Sequence, residues 1–213
     1  MNVLIAGANG KIARRLARVL RESGHEVRGI IRSPEQADSM RELGAEPVIL
    51  DLEQEVDWSV ADGSDAIVFA AGAGPGSDPE RKQTMDLGGA VKLVDSAEAQ
   101  GVGRFVMVSA MGAADPESGP EKMQPYLRAK AAADERLAAS SLDWTIVRPG
   151  SLTDEAPTGL VDVGVPSLGR RGEITRDDVA AVLAACLELD ATVGKTFEVL
   201  GGETEIRKAL GEL

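Results

Sequence analysis

The sequence predicts an α/β protein built on a doubly wound parallel sheet with helices on both faces. Short apolar runs alternate with longer amphipathic ones along the 213 residues. Aromatic residues make up only 3% of the chain, so its core has to consist of Ala, Val, Leu and Ile, which suits helices packed on a buried parallel sheet. The first apolar run also passes into its helix through a glycine turn, as is typical of such sheets.

The elements follow one another in the order that such a sheet requires. Strands are predicted at 2–6, 26–31, 46–50, 66–70, 104–109, 145–148 and 196–200. Helices are predicted at 10–23, 34–43, 78–100, 122–140 and 176–188, with a short one at 204–213. Thr175 and the acids after it are typical of a helix start. Segments 71–79, 110–121 and 149–173 are predicted loops, and each follows the carboxyl end of a strand, where open α/β sheets bind ligands.

Composition excludes several classes of protein. The net charge of −12 and the pI of about 4.6 argue against nucleic acid or an anionic membrane as partner. The apolar run at 3–6 is too short for a signal peptide or a membrane span. The single cysteine, Cys186, is expected to be a buried thiol, which fits a reducing cytoplasm. Without a His/Cys cluster we expect no metal site, and we expect one domain over 1–213 whose substrate side is a segment from about 150.

The glycine turn predicts a Rossmann-type dinucleotide site. Gly7 and Gly10 allow a tight turn and let backbone amides approach a pyrophosphate at the start of the first helix. A GxxG spacing alone is a weak signal, but its place between the first strand and an amphipathic helix makes it informative. The predicted contacts of this turn are Gly7, Ala8, Asn9, Gly10, Lys11 and Ile12.

The end of the second strand predicts the choice of nicotinamide cofactor. NAD enzymes usually carry an acid there, which binds the ribose 2′-hydroxyl. This strand instead ends on Arg32 and Ser33. Arg32, together with Arg14 or Arg15 from the first helix, could meet a 2′-phosphate. We therefore expect NADP(H) to be preferred, with NAD possible.

Tyr126 is the only tyrosine of the chain, and Lys130 follows it by four residues. On a helix these positions share one face, so the ammonium group would lie close to the phenol. A nearby positive charge favours the phenolate and makes the hydroxyl a more competent proton donor or acceptor near neutral pH. The alternative is a surface tyrosine packed along a lysine stem.

Taken together, these residues resemble the atypical short-chain dehydrogenase/reductases, and among them the small NAD(P)-binding proteins of the epimerase/dehydratase type. The resemblance spans the whole chain and is much more specific for fold and cofactor than for the reaction. Besides the glycine turn it rests on Asp51-Leu52, Ala70-Ala71-Gly72, 106–110, Tyr126 with Lys130, Arg148-Pro149-Gly150 and 174–180.

The resemblance implies roles for these segments. Asp51 and Leu52 would border the adenine, 70–72 would line the cofactor backbone, and Pro149 and Gly150 would hold the nicotinamide end. Ser109 would hydrogen-bond a substrate carbonyl or hydroxyl.

The resemblance also implies a catalytic pair. Tyr126 would transfer the proton, while Lys130 would bind the nicotinamide ribose and lower the tyrosine pKa. In the main branch of the superfamily an asparagine completes this set, and Asp86 stands at the matching position here. Only about forty residues, 174–213, follow the last motif, so a large nucleotide-sugar is hard to enclose.

The leading hypothesis is an NADP(H)-dependent oxidoreductase that acts on a small carbonyl or hydroxyl substrate through Tyr126, Lys130 and Ser109. One alternative is a non-catalytic NADP(H)-binding sensor, and another is a flavin or tetrapyrrole reductase on the same scaffold. A further alternative is an epimerase or dehydratase, and isomerisation through a transient keto intermediate would use the same residues. Enzymes of this type often dimerise through helices, so a homodimer is a further expectation.

Overall fold

In a computed structural model, the described residues form a nine-stranded sheet with helices on both faces. The structure describes residues 1–54, 57–74 and 76–213. The strand order is β11-β8-β10-β6-β5-β4-β1-β2-β3, and the strands from β3 to β10 in this order are all parallel. Antiparallel β8 and β11 extend the sheet beyond β10. The predicted fold class is therefore confirmed.

The sheet strands are β1 (Asn2–Ala6), β2 (Glu26–Ile31), β3 (Glu46–Ile49), β4 (Ala66–Phe69), β5 (Arg104–Val108), β6 (Asp143–Pro149), β8 (Leu160–Gly164), β10 (Lys195–Gly201) and β11 (Thr204–Glu205). A second, two-stranded sheet pairs β7 (Ser151–Thr153) with β9 (Glu173–Thr175). The helices are α1 (Lys11–Glu22), α2 (Ala37–Glu42), α3 (Pro79–Arg81), α4 (Ala90–Gln100), α5 (Gln124–Ala138), α6 (Arg176–Glu188) and α7 (Ile206–Gly211).

Two predictions of local structure were wrong. The segment 149–173 is not one loop, because it contains β7 and β8. The predicted helix 78–100 is also not uniform, since a π-helix (Lys82–Gly89) separates α3 from α4. Gly88 and Gly89, which destabilise an α-helix, lie inside this π-helix.

The core lies in two layers, one on each face of the sheet. One face is covered by α1, α2, α6 and α7 and the other by α4 and α5. Alanines, valines and leucines dominate both layers, as expected from the scarcity of aromatics. Cys186 of α6 is fully buried, and burial raises the pKa of its thiol to about 12. Among the described residues, no helix has the length and apolar content to cross a membrane.

Candidate active site and cofactor cleft

The glycine turn brings the start of α1 against the end of β4. Gly7 has a φ of +72°, and its carbonyl accepts a 2.8 Å hydrogen bond from the Gly10 amide. A β-carbon on Gly7 would lie 2.6 Å from the α-carbon of Ala71. Backbone conformation and contact thus both require glycine here.

A cleft runs along the carboxyl edge of the parallel strands on both sides of this turn. Two cavities, of about 320 and 770 Å³, form it and share Gly10, Ala70, Ala71 and Gly72. We call the smaller cavity the narrow end; it is also lined by Gly7, Asn9, Ile30, Ile31, Arg32, Gln36, Ala73, Arg81 and Met85. We call the larger cavity the wide end; its lining includes Lys11, Ile12, Lys82, Asp86, Val108, Ser109, Met123, Tyr126, Lys130, Pro149, Leu152 and Arg176.

Two arginines converge on one carboxylate at the narrow end. Arg81 Nε lies 3.2 Å from Glu53 Oε2, and Arg32 Nη1 lies 4.0 Å from the same oxygen. The Arg32 side chain is 55% exposed, so this ion pair is weak. Sequence reasoning placed Arg32 here but missed Arg81, which is far from Arg32 in the chain and follows no recognised motif.

Arg14, Arg15 and Ser33 were also predicted to bind the cofactor near Arg32, and their surroundings differ. Arg14 donates a 3.3 Å hydrogen bond to the side chain of Asn9, which lines the narrow end. The Ser33 amide donates to the side chain of Gln36 and begins a 3₁₀ turn. Arg15 instead pairs with Asp177 at 2.7 Å, so the structure does not bring it to Arg32.

Asp51 and Leu52 take structural positions behind the narrow end. The Asp51 carboxylate accepts a 3.0 Å hydrogen bond from the Glu53 amide, and Leu52 is buried in the core. Neither belongs to the described residues that line the cleft. Their implied contact with an adenine stays a prediction.

The wide end holds the predicted pair, with Lys130 buried beneath Tyr126. Lys130 Nζ lies 5.9 Å from the centre of the Tyr126 ring and donates to the Val108 carbonyl at 3.1 Å. It also lies 3.3 Å from Asp86 Oδ1, and the side chains of Lys130 and Asp86 are only 4% and 1% exposed. The other oxygen of Asp86 accepts from the Ala73 amide at 3.1 Å. Asp86 thus neutralises a buried lysine.

Burial and charge act in opposite directions on the Tyr126 hydroxyl. Burial raises its pKa, Lys130 lowers it, and Asp86 and Asp134 raise it further, so the pKa ends above its usual value. The expected effect of Lys130 is present, but it does not bring the pKa of Tyr126 down. For Lys130, burial lowers the pKa, but Tyr126 and Asp86 outweigh burial, so the pKa is raised and the ammonium stays charged.

Ser109 lines the wide end and is hydrogen-bonded on its other side to Asp134. Its hydroxyl donates a 2.8 Å hydrogen bond to Asp134 Oδ2, which also accepts from Arg148 at 2.9 and 3.0 Å. Burial raises the pKa of Asp134, while Arg148 opposes this shift. While Asp134 is ionised it can only accept, so the Ser109 proton points to Asp134 and a lone pair remains for the cleft.

Sequence reasoning missed Asp134, although a signal for it existed. Asp134 follows Lys130 by four residues on α5, so Tyr126, Lys130 and Asp134 lie along one helix face. Its place on this face is therefore predictable from the sequence, whereas its contact with Ser109 of another element is not.

Of the remaining predicted contacts, Lys11, Ile12 and Pro149 line the wide end, whereas Gly150 and the buried Ala8 are not among the described residues that line the cleft. A β-carbon on Gly150 would lie 2.5 Å from the Gly172 carbonyl oxygen. The exposed Lys11 ammonium pairs with Asp154 at 2.7 Å. The cleft therefore gathers most of the residues predicted from separate motifs.

A family model described as NAD(P)H-binding matches residues 7–190 of this chain. The chain belongs to this NAD(P)H-binding family. The matched segment includes the glycine turn and the described residues that line both ends of the cleft. The resemblance derived from the sequence motifs is thereby confirmed at the level of the family.

Similar proteins carry related descriptions. A Bacillus subtilis protein described as an uncharacterized sugar epimerase is 39% identical over 216 residues, covering all of both proteins. A Bacillus halodurans structure described as an NAD-dependent epimerase/dehydratase has 46% identity and a TM-score of 0.96, with full coverage of both chains. A Lactococcus lactis oxidoreductase has 30% identity and a TM-score of 0.89, covering 100% of this chain and 96% of its own. The chain thus has an NAD(P)-binding, oxidoreductase- or epimerase-like fold.

The residues of the cleft fit a nicotinamide dinucleotide. Gly7 and Gly10 line the cleft without side chains, so their backbone can approach a pyrophosphate closely. Arg32 and Arg81 offer cations at the narrow end, and Lys130 and Pro149 border the wide end. A dinucleotide would extend from one end to the other across the glycine turn.

Proposed function

We propose that this protein is an NADP(H)-dependent oxidoreductase that interconverts a small carbonyl compound and its alcohol. The observation that carries the proposal is that Tyr126, Ser109 and Lys130 line one cavity, which is continuous with the glycine turn. A nicotinamide cofactor, when bound, supplies or accepts the hydride. The chain itself must therefore move the proton on the substrate oxygen.

Tyr126 is the proposed proton donor in the direction of reduction. Its raised pKa keeps the phenol protonated at neutral pH, which is the form that reduction needs. The hydroxyl makes no hydrogen bond to another described residue, and the side chain lines the cavity. It is thus available to a substrate oxygen.

Lys130 and Asp86 are proposed to set the electrostatics under Tyr126. The charged ammonium stabilises a phenolate once Tyr126 has given up its proton. Asp86 holds the ammonium in place from the π-helix at 3.3 Å. Where an asparagine would be neutral, Asp86 supplies the counter-charge that a buried lysine requires.

Ser109 is proposed to orient the substrate oxygen rather than to protonate it. Its own proton is engaged by Asp134, so it offers an acceptor to a substrate hydroxyl. Ser109 therefore favours the alcohol form of the substrate over the carbonyl form, whereas Tyr126 can hydrogen-bond to either form. Asp134 and Arg148 act as positioning residues for Ser109.

The narrow end supports NADP(H) over NAD(H). Arg32 and Arg81 approach one carboxylate, Glu53, which a 2′-phosphate could replace as their partner. A ribose 2′-hydroxyl offers them no charge. Glu53 itself is engaged by both arginines and by Thr84, so it is not free to bind that hydroxyl.

The test compares wild type with Tyr126→Phe. NADPH and NADH oxidation is followed with aldehyde, ketone, quinone and flavin panels. We expect wild type to reduce a carbonyl compound with NADPH and Tyr126→Phe to be slower by about 10²- to 10⁴-fold. Turnover that survives Tyr126→Phe contradicts the tyrosine mechanism and supports a flavin-type reductase. Tight NADPH binding with no turnover of any compound supports the sensor.

A further inference from the structure

The wide end of the cleft is cationic, although the whole protein is acidic. Among the residues that the structure describes, four cations line it, Lys11, Lys82, Lys130 and Arg176, against one carboxylate, that of Asp86. The chain as a whole has a net charge of −12. A local excess of one sign that opposes the overall charge indicates a selected ligand charge.

Three of these cations already have a carboxylate partner. Lys130 pairs with Asp86 at 3.3 Å, while Lys11 and Arg176 share Asp154 at 2.7 and 3.0 Å. Lys82 differs from them. In residues 1–54, 57–74 and 76–213, no carboxylate lies within 4.0 Å of its ammonium group.

Lys82 is well placed to contact a substrate beside Tyr126. It opens the π-helix and precedes Asp86 by about one turn, so both side chains reach the same cavity. Asp86 in turn contacts Lys130, which lies beneath the Tyr126 ring. Lys82 is half-buried, so a partner there would be shielded in part from water.

The rest of the wide end is largely apolar. Its lining includes Ile12, Val108, Met123, Pro149 and Leu152. Such a surface suits an apolar body with one charged group. The cavity of about 770 Å³ leaves room for a small molecule of this kind next to a nicotinamide ring.

We propose that the wide end selects carbonyl and hydroxyl compounds that carry a carboxylate, and that Lys82 binds this carboxylate. The inference rests on the proposed function, since it names the substrate class of the same site. Lys82 acts as a specificity residue and takes no part in proton transfer.

The experiment uses two probes that differ in charge, 4-carboxybenzaldehyde and its neutral methyl ester. Binding to the protein with NADP⁺ is measured by calorimetry, and reduction by NADPH is measured separately. Wild type should prefer the carboxylate by about tenfold in both Kd and kcat/KM. Lys82→Gln should abolish this preference by raising Kd and KM for the carboxylate about tenfold, with a much smaller change for the ester. Lys122→Gln, which removes an exposed lysine outside the cavity lining, should keep it.

The two proposals fail in different ways. Equal binding of both probes to wild type, or a preference that survives Lys82→Gln, overturns the carboxylate inference. A Lys82-dependent binding preference without reduction of either aldehyde supports the inference and counts against the proposed reaction. Higher salt should weaken the preference, because an ion pair that is half-buried is still screened.

Discussion

The two ends of the cleft use charge in opposite ways. At the narrow end, Arg32 and Arg81 meet Glu53 at a partly exposed surface. At the wide end, Lys130 meets Asp86 and Arg148 meets Asp134 with little solvent access. Exposed pairs exchange partners at low cost, whereas buried pairs are fixed because an unpaired buried charge is costly. The narrow end is therefore suited to binding the charged group of a cofactor, and the two buried pairs of the wide end to holding charges in place during a reaction.

The largest expected effect comes from breaking the buried pair at the wide end. Asp86→Ala leaves the Lys130 ammonium without its carboxylate, so the free energy of unfolding should fall by about 3–5 kcal/mol. Urea denaturation followed by circular dichroism measures this. Glu117→Ala, which breaks the exposed pair with Arg128, is the matched control and should change stability little. Equal losses in the two variants would contradict the contrast between buried and exposed pairs.

The next effect is the pH dependence of alcohol oxidation. Oxidation needs Tyr126 as phenolate, and its pKa is raised above the usual value of about 10. The phenolate fraction therefore rises about tenfold per pH unit throughout the neutral and mildly alkaline range. We expect kcat/KM for oxidation to rise with that slope. The ionisation of Tyr126 should leave kcat/KM for carbonyl reduction independent of pH over the same range. A plateau in oxidation near neutral pH would show that the tyrosine pKa is lowered instead.

Substitutions at the narrow end should change cofactor affinity without changing the free energy of unfolding. Arg32→Ala and Arg81→Ala should each raise the Kd for NADPH by about tenfold or more and leave the Kd for NADH nearly unchanged, because only NADPH carries the 2′-phosphate. Fluorescence titration of the two cofactors measures this. Arg18→Ala removes an exposed arginine on α1 outside the cleft lining and serves as the control. An equal loss of affinity for both cofactors would contradict the NADP(H) preference that Arg32, at the end of the second strand, predicts.

The smallest effect concerns the shared counter-ion of the two arginines. Glu53→Gln keeps the shape of the side chain and removes the charge that a 2′-phosphate must displace. NADPH should bind about two- to fivefold more tightly, in keeping with the small free energy of a partly exposed ion pair. Weaker NADPH binding in this variant would mean that Glu53 holds Arg32 and Arg81 in position rather than competing for them.

Local patterns made most of the fold predictable. The seven strands from β1 to β6 and β10 and the Gly7 turn depend on short apolar runs and on one backbone conformation. The strands within 149–173 were missed. One of them, β8, depends on antiparallel pairing with β10, which lies more than thirty residues later in the sequence. The π-helix was missed because its sequence has helical periodicity throughout.

The site was predictable where spacing alone decides the contact. Tyr126 and Lys130 lie on one helix, so their proximity followed from the sequence. Arg81 and Asp134 acquire their roles through contacts with Glu53 and Ser109, each from another element. The pKa of Tyr126 depends on burial by the whole cavity, which no local pattern reports.

The division of labour between the two ends is the central claim, and one measurement tests it most directly. The Kd for NADPH and the kcat at saturating NADPH are determined for Arg32→Ala and Tyr126→Phe on the same carbonyl substrate. The account predicts a raised Kd with nearly normal kcat for Arg32→Ala. For Tyr126→Phe it predicts a normal Kd with kcat reduced by about 10²-fold or more. Wild-type kcat in Tyr126→Phe would contradict it.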